Sequence, residues 1–393
     1  MNIAKFAYLQ LINEDGNNRY YRMRQDGNII VIEMGRNGAT PVIQKKPLSL
    51  WDMIYSKKIN EGYVDTAEVH APITKKTSNN NYDVILDDEV RALFDALMGY
   101  ANKALQTSYK VSWDEVTPEM ITTAQNIIKE LDEASTVENC KKLLLLLFAI
   151  VPRKMKEVKD YLPTSLDDMG DILAREQELL DVLTSKISQE KKAEEVSSGK
   201  TILDALGLKA RVCTPEEEAQ IKKFMGSESA PRFKRAFRIN NEKTDARFYE
   251  YMEKNGLTDK DVSYLYHGSK NQNYYGLISE GPLLNPNAPI TGKMFGYGLY
   301  YSNRARKSIN YTSIKGSHWA KGTSSQAFLA VYKVCYKNPK HVLHWSNEMT
   351  KYTAKKIAPY DAVFAHGGAD LINDEIIVYN EAQCTLQYII ELK

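Results

Sequence analysis

The sequence predicts a multidomain chain: a small β-rich N-terminal domain, an all-α bundle and a C-terminal α+β domain. Three observations predict it. The 393 residues exceed what one hydrophobic core usually organises. The apolar pattern changes twice, from half-alternation to helical spacing and then back to strand-like runs. Two polar, turn-rich stretches fall at those changes, "TKKTSNNNYD" from Thr74 to Asp83 and "SQEKKAEEVSSGK" from Ser188 to Lys200, and are read as linkers. The domains so bounded are 1–75, 84–190 and 201–393.

In the first domain, "FAYLQLINEDGNNRYYRMR" holds two aromatic runs around Asp15-Gly16-Asn17-Asn18, which is hairpin chemistry. "GNIIVIEMGRNGA" supplies a third strand and a glycine-rich turn. "PLSLWDMIYSKKINEGY" follows at helical spacing, with Ser49 as candidate cap.

The second domain is helical throughout. Thr117 is a candidate N-cap with Pro118 at the first helical position, followed by the stripe Ile121, Ala124, Ile127, Ile128 and Leu131. "VENCKKLLLLLFAIVP" is apolar on nearly all sides, which predicts a central buried helix stopped by Pro152. "SLDDMGDILAREQELLDVLTSKI" is amphipathic, with acids in its first turn. The third domain holds the strands "VSYLYHG", "AFLAVYKVCY", "DAVFAHGG" and "DEIIVYNEAQCTLQYIIEL", separated by glycine and asparagine turns.

Composition narrows the function classes. Apolar content of 43% and charged content of 26% are those of an ordinary globular protein. A net charge of +2 does not by itself imply nucleic-acid binding. An acidic middle segment lies between two basic ones, an arrangement that permits docking of one domain on another. Cys140, Cys213, Cys335 and Cys384 form no Cys-x-x-Cys pair, so no metal is expected, and a reducing intracellular compartment is. That compartment would be the nucleus in a eukaryote and the cytoplasm or nucleoid in a bacterium. The N-terminus has no signal-peptide pattern, and the longest apolar run, Leu143 to Pro152, is too short to cross a bilayer, so no membrane association is expected.

The chemistry-bearing residues lie late in the chain. His267 ends the aromatic run "YLYHGSK"; a lone histidine there is most often structural. The following "GPLLNPNAPITGKMFGYGLYYSNRARKSINYT" changes that reading. A proline- and glycine-rich loop beside Gly-Tyr-Gly and paired tyrosines suits a lid over a flat ligand. Ser308 and Tyr311 are about one helical turn apart, so a hydroxyl and a ring can address the same heterocycle.

Taken in order, "YHGS", "GYGLYYS", "KSINY" and "DEIIVYNEAQ" resemble the catalytic core of the poly(ADP-ribose) polymerase family, whose fold is the diphtheria-toxin-like ADP-ribosyltransferase fold. The resemblance runs from about Pro215 to Lys393. It implies a His-Tyr-Glu triad at His267, Tyr300 and Glu375, with NAD+ as substrate and no metal. It implies that His267 bonds the adenosine ribose, that Gly268 and Ser308 hold the nicotinamide carboxamide, and that Tyr300 and Tyr311 sandwich the ring. Ser269 belongs to the same binding motif and Asn273 to the adenosine side. Glu375 would bond the nicotinamide ribose and activate an acceptor hydroxyl. On a strand, Glu375, Ile377 and Tyr379 point one way and Asp374 and Ile376 the other, so one of the two adjacent acids faces the cleft. Leu283 and Lys293 stand where some relatives carry an arginine and a tyrosine.

The preceding segments resemble the same family. "LFDALMGYANKAL", "VTPEMITTAQNIIKEL" and "LLFAIVP" are similar to its helical regulatory domain, which implies autoinhibition. Residues 1–70 are similar to the WGR domain, with Met34 in the tryptophan's place in Met34-Gly35-Arg36-Asn37-Gly38. Arg19, Arg22, Arg24, Arg36, Lys45 and Lys46 are candidate phosphate contacts, and Met34 a candidate sugar contact. The implied partners are DNA nicks or double-strand ends and acceptor proteins, the chain itself included. The implied activity is a DNA-break-activated polymerase; single-unit transfer and an inert DNA-binding scaffold are the alternatives.

Overall fold

The computed structural model describes residues 5–14, 17–36, 40–67, 83–111, 115–194, 199–284 and 294–393. Contacts gather the chain into two compact units. One joins Met1–Thr77 with Ala104–Ile187; the other joins Ser78–Lys103 with Ser188–Pro286 and Gly292–Lys393.

The first unit contains a five-stranded sheet built from β1 (Phe6–Ile12), β2 (Asn18–Asp26), β3 (Ile29–Arg36), β4 (Val42–Pro47) and β5 (Val64–Asp65), in the order β4-β3-β2-β1-β5. The hairpin between β1 and β2 forms as the turn residues predict: Asn13 and Asn17 bond across it, while Asp15 and Gly16 lie outside the described residues. Helix α1 (Trp51–Asn60) begins without a side-chain cap. Ser49, the expected cap, instead sits inside the single tight turn Leu48–Leu50 that brings the chain off β4. Trp51 and Tyr63 pack on Leu9, Tyr21, Met23, Ile30 and Ile32, all from one sheet face.

Helix α2 (Asp88–Ser108) opens on the carboxylate of Asp87, which accepts from the amides of Glu89 and Val90. In α3 (Pro118–Glu133) the Thr117 hydroxyl accepts from the Met120 amide at 3.0 Å, as the Thr-Pro signal predicts. Met120 joins the buried stripe, and Ile121 lies at its half-buried margin. Helix α4 (Val137–Ile150) is less enclosed than its composition predicts. Leu146 is exposed and Leu143 and Leu145 are half-buried, because the helix buries one face and its last turn only. Helix α5 (Met169–Glu194) runs on through Ser188–Glu194, where the charged composition predicts a linker. Lys and Glu are good helix formers, and a tertiary contact at Gln189 extends the helix.

The second unit holds two sheets. The first is antiparallel, in the order β6-β7-β14-β10-β8: β6 (Leu208–Val212), β7 (Phe233–Asn241), β8 (Val262–Gly268), β10 (Ala327–Cys335) and β14 (Cys384–Leu392). The second has the order β11-β12-β13-β9: β9 (Leu299–Tyr301), β11 (Pro339–Val342), β12 (Ala362–Ala365) and β13 (Glu375–Val378), with β11 and β12 parallel. Helices α6 (Ile202–Leu206), α7 (Pro215–Ser229), α8 (Glu242–Lys254), α9 (Tyr274–Ser279), α10 (Ala305–Ile309) and α11 (Ala354–Ile357) also belong to it.

Strand periodicity divides the core in two. Phe328, Ala330, Tyr332 and Val334 of β10 face a cluster shared with Ile376 and Val378 of β13 and with Leu299 and Tyr301 of β9. Ala327, Leu329 and Val331 face a second cluster with Ile221 and Met225 of α7. Both faces of β10 are therefore buried, which explains its continuous apolar run.

The shared cluster contains a guest the sequence does not announce. Val90, Leu93, Phe94 and Leu97, from the first half of α2, pack into it. Tyr100 then donates to the Gln326 side chain at 2.9 Å, and Glu89 pairs with Arg235 at 3.1 Å. The last turns of α5 attach similarly. Gln189 donates to Ser279 at 2.6 Å, and Lys192 and Lys243 both pair with Glu280. These helical segments are part of the sheet unit's own packing. Phe94 is fully buried, and Phe94→Ala is expected to destabilise the chain by about 3–5 kcal/mol, read from the shift of a denaturant unfolding curve. A curve that does not move would mean that α2 rests on the surface and adds nothing to the core.

Candidate active site

Two sheets meet where β8 touches the end of β9. The Tyr266 amide donates to the Ser302 carbonyl at 2.8 Å, and the Ser302 amide returns a bond to Tyr266 at 3.0 Å. Residues on either side of this joint are brought together although far apart in sequence.

His267 follows Tyr266. Its Nδ1 lies 3.0 Å from the Tyr300 carbonyl oxygen. A carbonyl accepts only, so Nδ1 carries the proton and Nε2 is left as an acceptor. Burial depresses the imidazole below its ordinary value of 6.5, against the opposing effect of that hydrogen bond. The rings of Tyr301 and Tyr332 pack on it at 5.8 and 6.1 Å. The site thus presents a neutral, oriented imidazole suited to accepting a hydroxyl proton in a hydrogen bond.

Tyr300 is fixed at its phenol. The hydroxyl donates to the Gly296 carbonyl and accepts from the Phe295 amide, each at 3.0 Å. Burial, with the charge of Glu375 adding to it, raises the phenol above its ordinary value. A saturated, un-ionised hydroxyl is no proton shuttle; what Tyr300 offers is the face of its ring. Gly296 is held at φ +71°, where a side chain would also meet the Tyr352 backbone, so the turn that holds the phenol needs glycine.

Glu375 opens β13, opposite Ala365, and the neighbouring pairs Ile376–Tyr301 and Ile377–Tyr300 set its place beside β9. Ile377 and Tyr379 face a cluster that includes Tyr300, whereas Ile376 faces the shared core. The alternation expected of the strand is observed. Asp374 has other duties: it accepts from the Gly367 amide at 2.8 Å and from Asn303 at 3.0 Å, and the Gly367 bond leads in holding its carboxyl below the usual range. Glu375 pairs with Lys307 at 2.7 Å, with both side chains 12% exposed. Lys307 also donates to the Asn373 carbonyl at 3.1 Å. In sequence Lys307 stands directly before Ser308, and that position on α10 is the one signal that ties it to the site.

Helix α10 lies against the end of β8. The buried Ser308 hydroxyl donates to the Tyr266 carbonyl at 3.1 Å, and the Tyr311 amide to the Ser308 carbonyl at 3.1 Å. A Cβ on Gly268 would fall 1.8 Å from the Ser308 carbonyl oxygen, so the strand and helix touch backbone to backbone. Tyr311 is 42% exposed, and burial followed by the Glu375 charge raises its phenol. Ser269 accepts from the Asn273 side chain at 2.9 Å, and its amide donates to Tyr274 at 3.3 Å. His267, Gly268, Tyr300, Ser308, Tyr311 and Glu375 therefore surround one joint, with Ser269 and Asn273 at its β8 side. Leu283 is exposed, and Lys293 lies outside the described residues.

The candidate DNA contacts divide by register. Tyr20, Arg22 and Arg24 alternate along β2, and Lys45 pairs with Val31, which pairs with Arg24, so Arg22, Arg24 and Lys45 share a sheet face. Arg19, Met34, Arg36 and Lys46 belong to the other face, where Met34 packs at the margin of the core. Arg22 is paired with Glu33. Asn37 and Gly38 lie outside the described residues. Among the described residues no group of three or more His, Cys, Asp or Glu could hold a metal, and no helix is long and apolar enough to cross a membrane.

The histidine gives a direct test. Its depressed folded-state value means that the neutral ring stabilises the fold above pH 6.5, and that this contribution fades as pH falls below 6.5. NMR titration of the His267 ring is expected to find it still neutral at pH 6.5, where an exposed imidazole is about half protonated. A midpoint at or above that value would contradict the buried, Nδ1-protonated assignment.

Comparison with known proteins finds relatives for this part of the chain. Residues 216–393 match the family model described as Poly(ADP-ribose) polymerase catalytic domain. An uncharacterized protein, 101L of Invertebrate iridescent virus 6, is 28% identical over 190 residues, which span 47% of this chain and 78% of the viral protein. The poly [ADP-ribose] polymerase of Sarcophaga peregrina is 29% identical over 33% of this chain. Poly [ADP-ribose] polymerase 1 of Gallus gallus is 30% identical over 40% of this chain. The aligned regions span only 15% and 17% of those two longer proteins. Residues 216–393 of this chain are thus similar to a poly(ADP-ribose) polymerase catalytic domain, and His267, Tyr300 and Glu375 all lie within the matched span.

Proposed function

We propose that this chain transfers ADP-ribose from NAD+ to proteins, itself included, and extends it into a chain, and that DNA breaks stimulate the reaction. The convergence of His267, Tyr300, Ser308, Tyr311 and Glu375 on one sheet joint carries the reading. Breaking the bond between the ribose C1′ and nicotinamide leaves positive charge on the sugar while the electron pair departs with nicotinamide. The Glu375 carboxylate, tethered by Lys307, stands ready to stabilise that charge through the neighbouring 2′-hydroxyl. An acceptor hydroxyl then attacks C1′ and gives its proton to Glu375. The free Nε2 of His267 accepts from the adenosine ribose, and Asn273 and Ser269 serve the same side. The Gly268 backbone and the Ser308 hydroxyl hold the carboxamide between Tyr300 and Tyr311.

The helical segments would act as the brake. In support, α2 and the end of α5 are tied into the transferase unit through Phe94, Tyr100, Gln189 and Lys192. The sheet of the N-terminal unit would receive DNA on the face bearing Arg22, Arg24 and Lys45, by charge neutralisation of phosphates.

Labelled NAD+ with and without nicked DNA, resolved on a denaturing gel, tests the whole reading. A DNA-dependent smear is expected, and Glu375→Gln should lower chain extension by about 10²–10⁴-fold. A sharp band indifferent to DNA would reduce the activity to single-unit transfer. Gly268→Ala pushes the strand off Ser308 and is expected to lower turnover by about 10²-fold while the thermal unfolding midpoint shows a folded chain. Unchanged turnover would remove Gly268 from the binding site.

A further inference from the structure

Between Gly281 and Asn347 the sequence has no aspartate or glutamate, against nine lysines and arginines. Several of these cations are engaged. Lys307 pairs with Glu375 and Arg306 with Glu228, while Lys333 lies over the ring of Tyr249 and Lys340 over that of Tyr352. Lys315 and Lys321 are exposed, and among the described residues neither has an ion-pair partner. Both stand on the loop that follows α10.

That loop is rigidly made. Its neck closes where the Lys315 amide donates to the Ser324 carbonyl at 2.8 Å and the Ser324 amide to Ser313 at 3.0 Å. The buried Ser317 hydroxyl accepts from the Gly322 amide at 2.7 Å, and a Cβ on Gly322 would lie 2.1 Å from the Ile314 carbonyl. Arg232 donates to the Lys315 carbonyl at 3.3 Å. Lys321 is held at φ +48°, a conformation that costs a non-glycine residue energy. The amides of Trp319 and Ala320 both bond the Asn310 carbonyl, at 3.1 and 3.0 Å.

What this framework holds out is an indole. Trp319 is 64% exposed, with His318 packed edgewise on it at 4.9 Å. Asn310, its anchor, directly precedes Tyr311, whose phenol feels the Glu375 charge. A rigid exposed ring flanked by unpaired cations suits a ligand with aromatic bases and phosphates. One ring and two cations match one nucleotide unit with its pyrophosphate; a nucleic-acid track would need a longer series. We propose that Trp319 stacks an adenine of an ADP-ribose chain already on its acceptor, with Lys315 and Lys321 at the pyrophosphate, holding the chain end beside the transferase site. This rests on the chain-extending reading above.

Binding is measured first without turnover. The full chain carrying Glu375→Gln is titrated with fluorescein-labelled ADP-ribose oligomers, followed by anisotropy, in the absence of NAD+. Trp319→Ala is expected to weaken binding on the order of ten-fold, with Trp319→Phe keeping most of it. Lys315→Ala with Lys321→Gly should flatten the salt dependence. On the otherwise unaltered chain, Trp319→Ala should release nicotinamide at the normal rate but yield shorter products. Oligomer affinity unchanged by Trp319→Ala would overturn the proposal. So would an oligo(dA) strand bound as tightly with the same Trp319 dependence, which would mark a nucleic-acid site. Absence of NAD+ turnover in the unaltered chain would instead sink the transferase reading and leave the binding result standing.

Discussion

Two backbone hydrogen bonds between Tyr266 and Ser302 tie the two sheets of the second unit together, and the candidate site is what collects around them. His267 and Gly268 come immediately after one partner, Tyr300 and Tyr301 immediately before the other. The Tyr266 carbonyl also receives the Ser308 hydroxyl, and Phe224 stacks on the Tyr266 ring at 4.6 Å. Backbone bonds suit this purpose because their geometry does not depend on rotamer choice. A shift of one sheet against the other would separate His267 from Tyr300.

The hydrogen bonds also set His267, Tyr300 and Glu375 apart from one another. The Tyr300 hydroxyl both donates and accepts within the fold, which leaves the face of its ring to the site. His267 has Nδ1 bonded to the Tyr300 carbonyl, which leaves Nε2 as the acceptor nitrogen. Glu375 is held by Lys307, with little exposure of either side chain to water.

Much of this was legible in the chain. Strand period separates Glu375 from Asp374, and a threonine before a proline marks the start of α3. Such signals are local, and local geometry obeys them. The pieces that were not legible are tertiary. An apolar stripe on α2 tells that it packs, not that Phe94 enters the core between two sheets. Lys307 reads as an ordinary helix cation until β13 brings Glu375 beside it. The basic residues near the N-terminus read as one set until register places Arg22, Arg24 and Lys45 on one face and Arg19, Arg36 and Lys46 on the other. Leu143, Leu145 and Leu146 read as interior and are only partly so, since composition cannot tell which side of a helix meets a neighbour.

All four cysteines are buried and free. Burial raises each thiol, those of Cys213, Cys335 and Cys384 to about 12, so the reactive thiolate is scarce at neutral pH. The chain therefore comes close to being chemically silent toward maleimides and mild oxidants without any substitution. A single cysteine introduced on an exposed loop would be its one fast-reacting thiol, so a fluorophore or spin label could be placed there in the otherwise native protein.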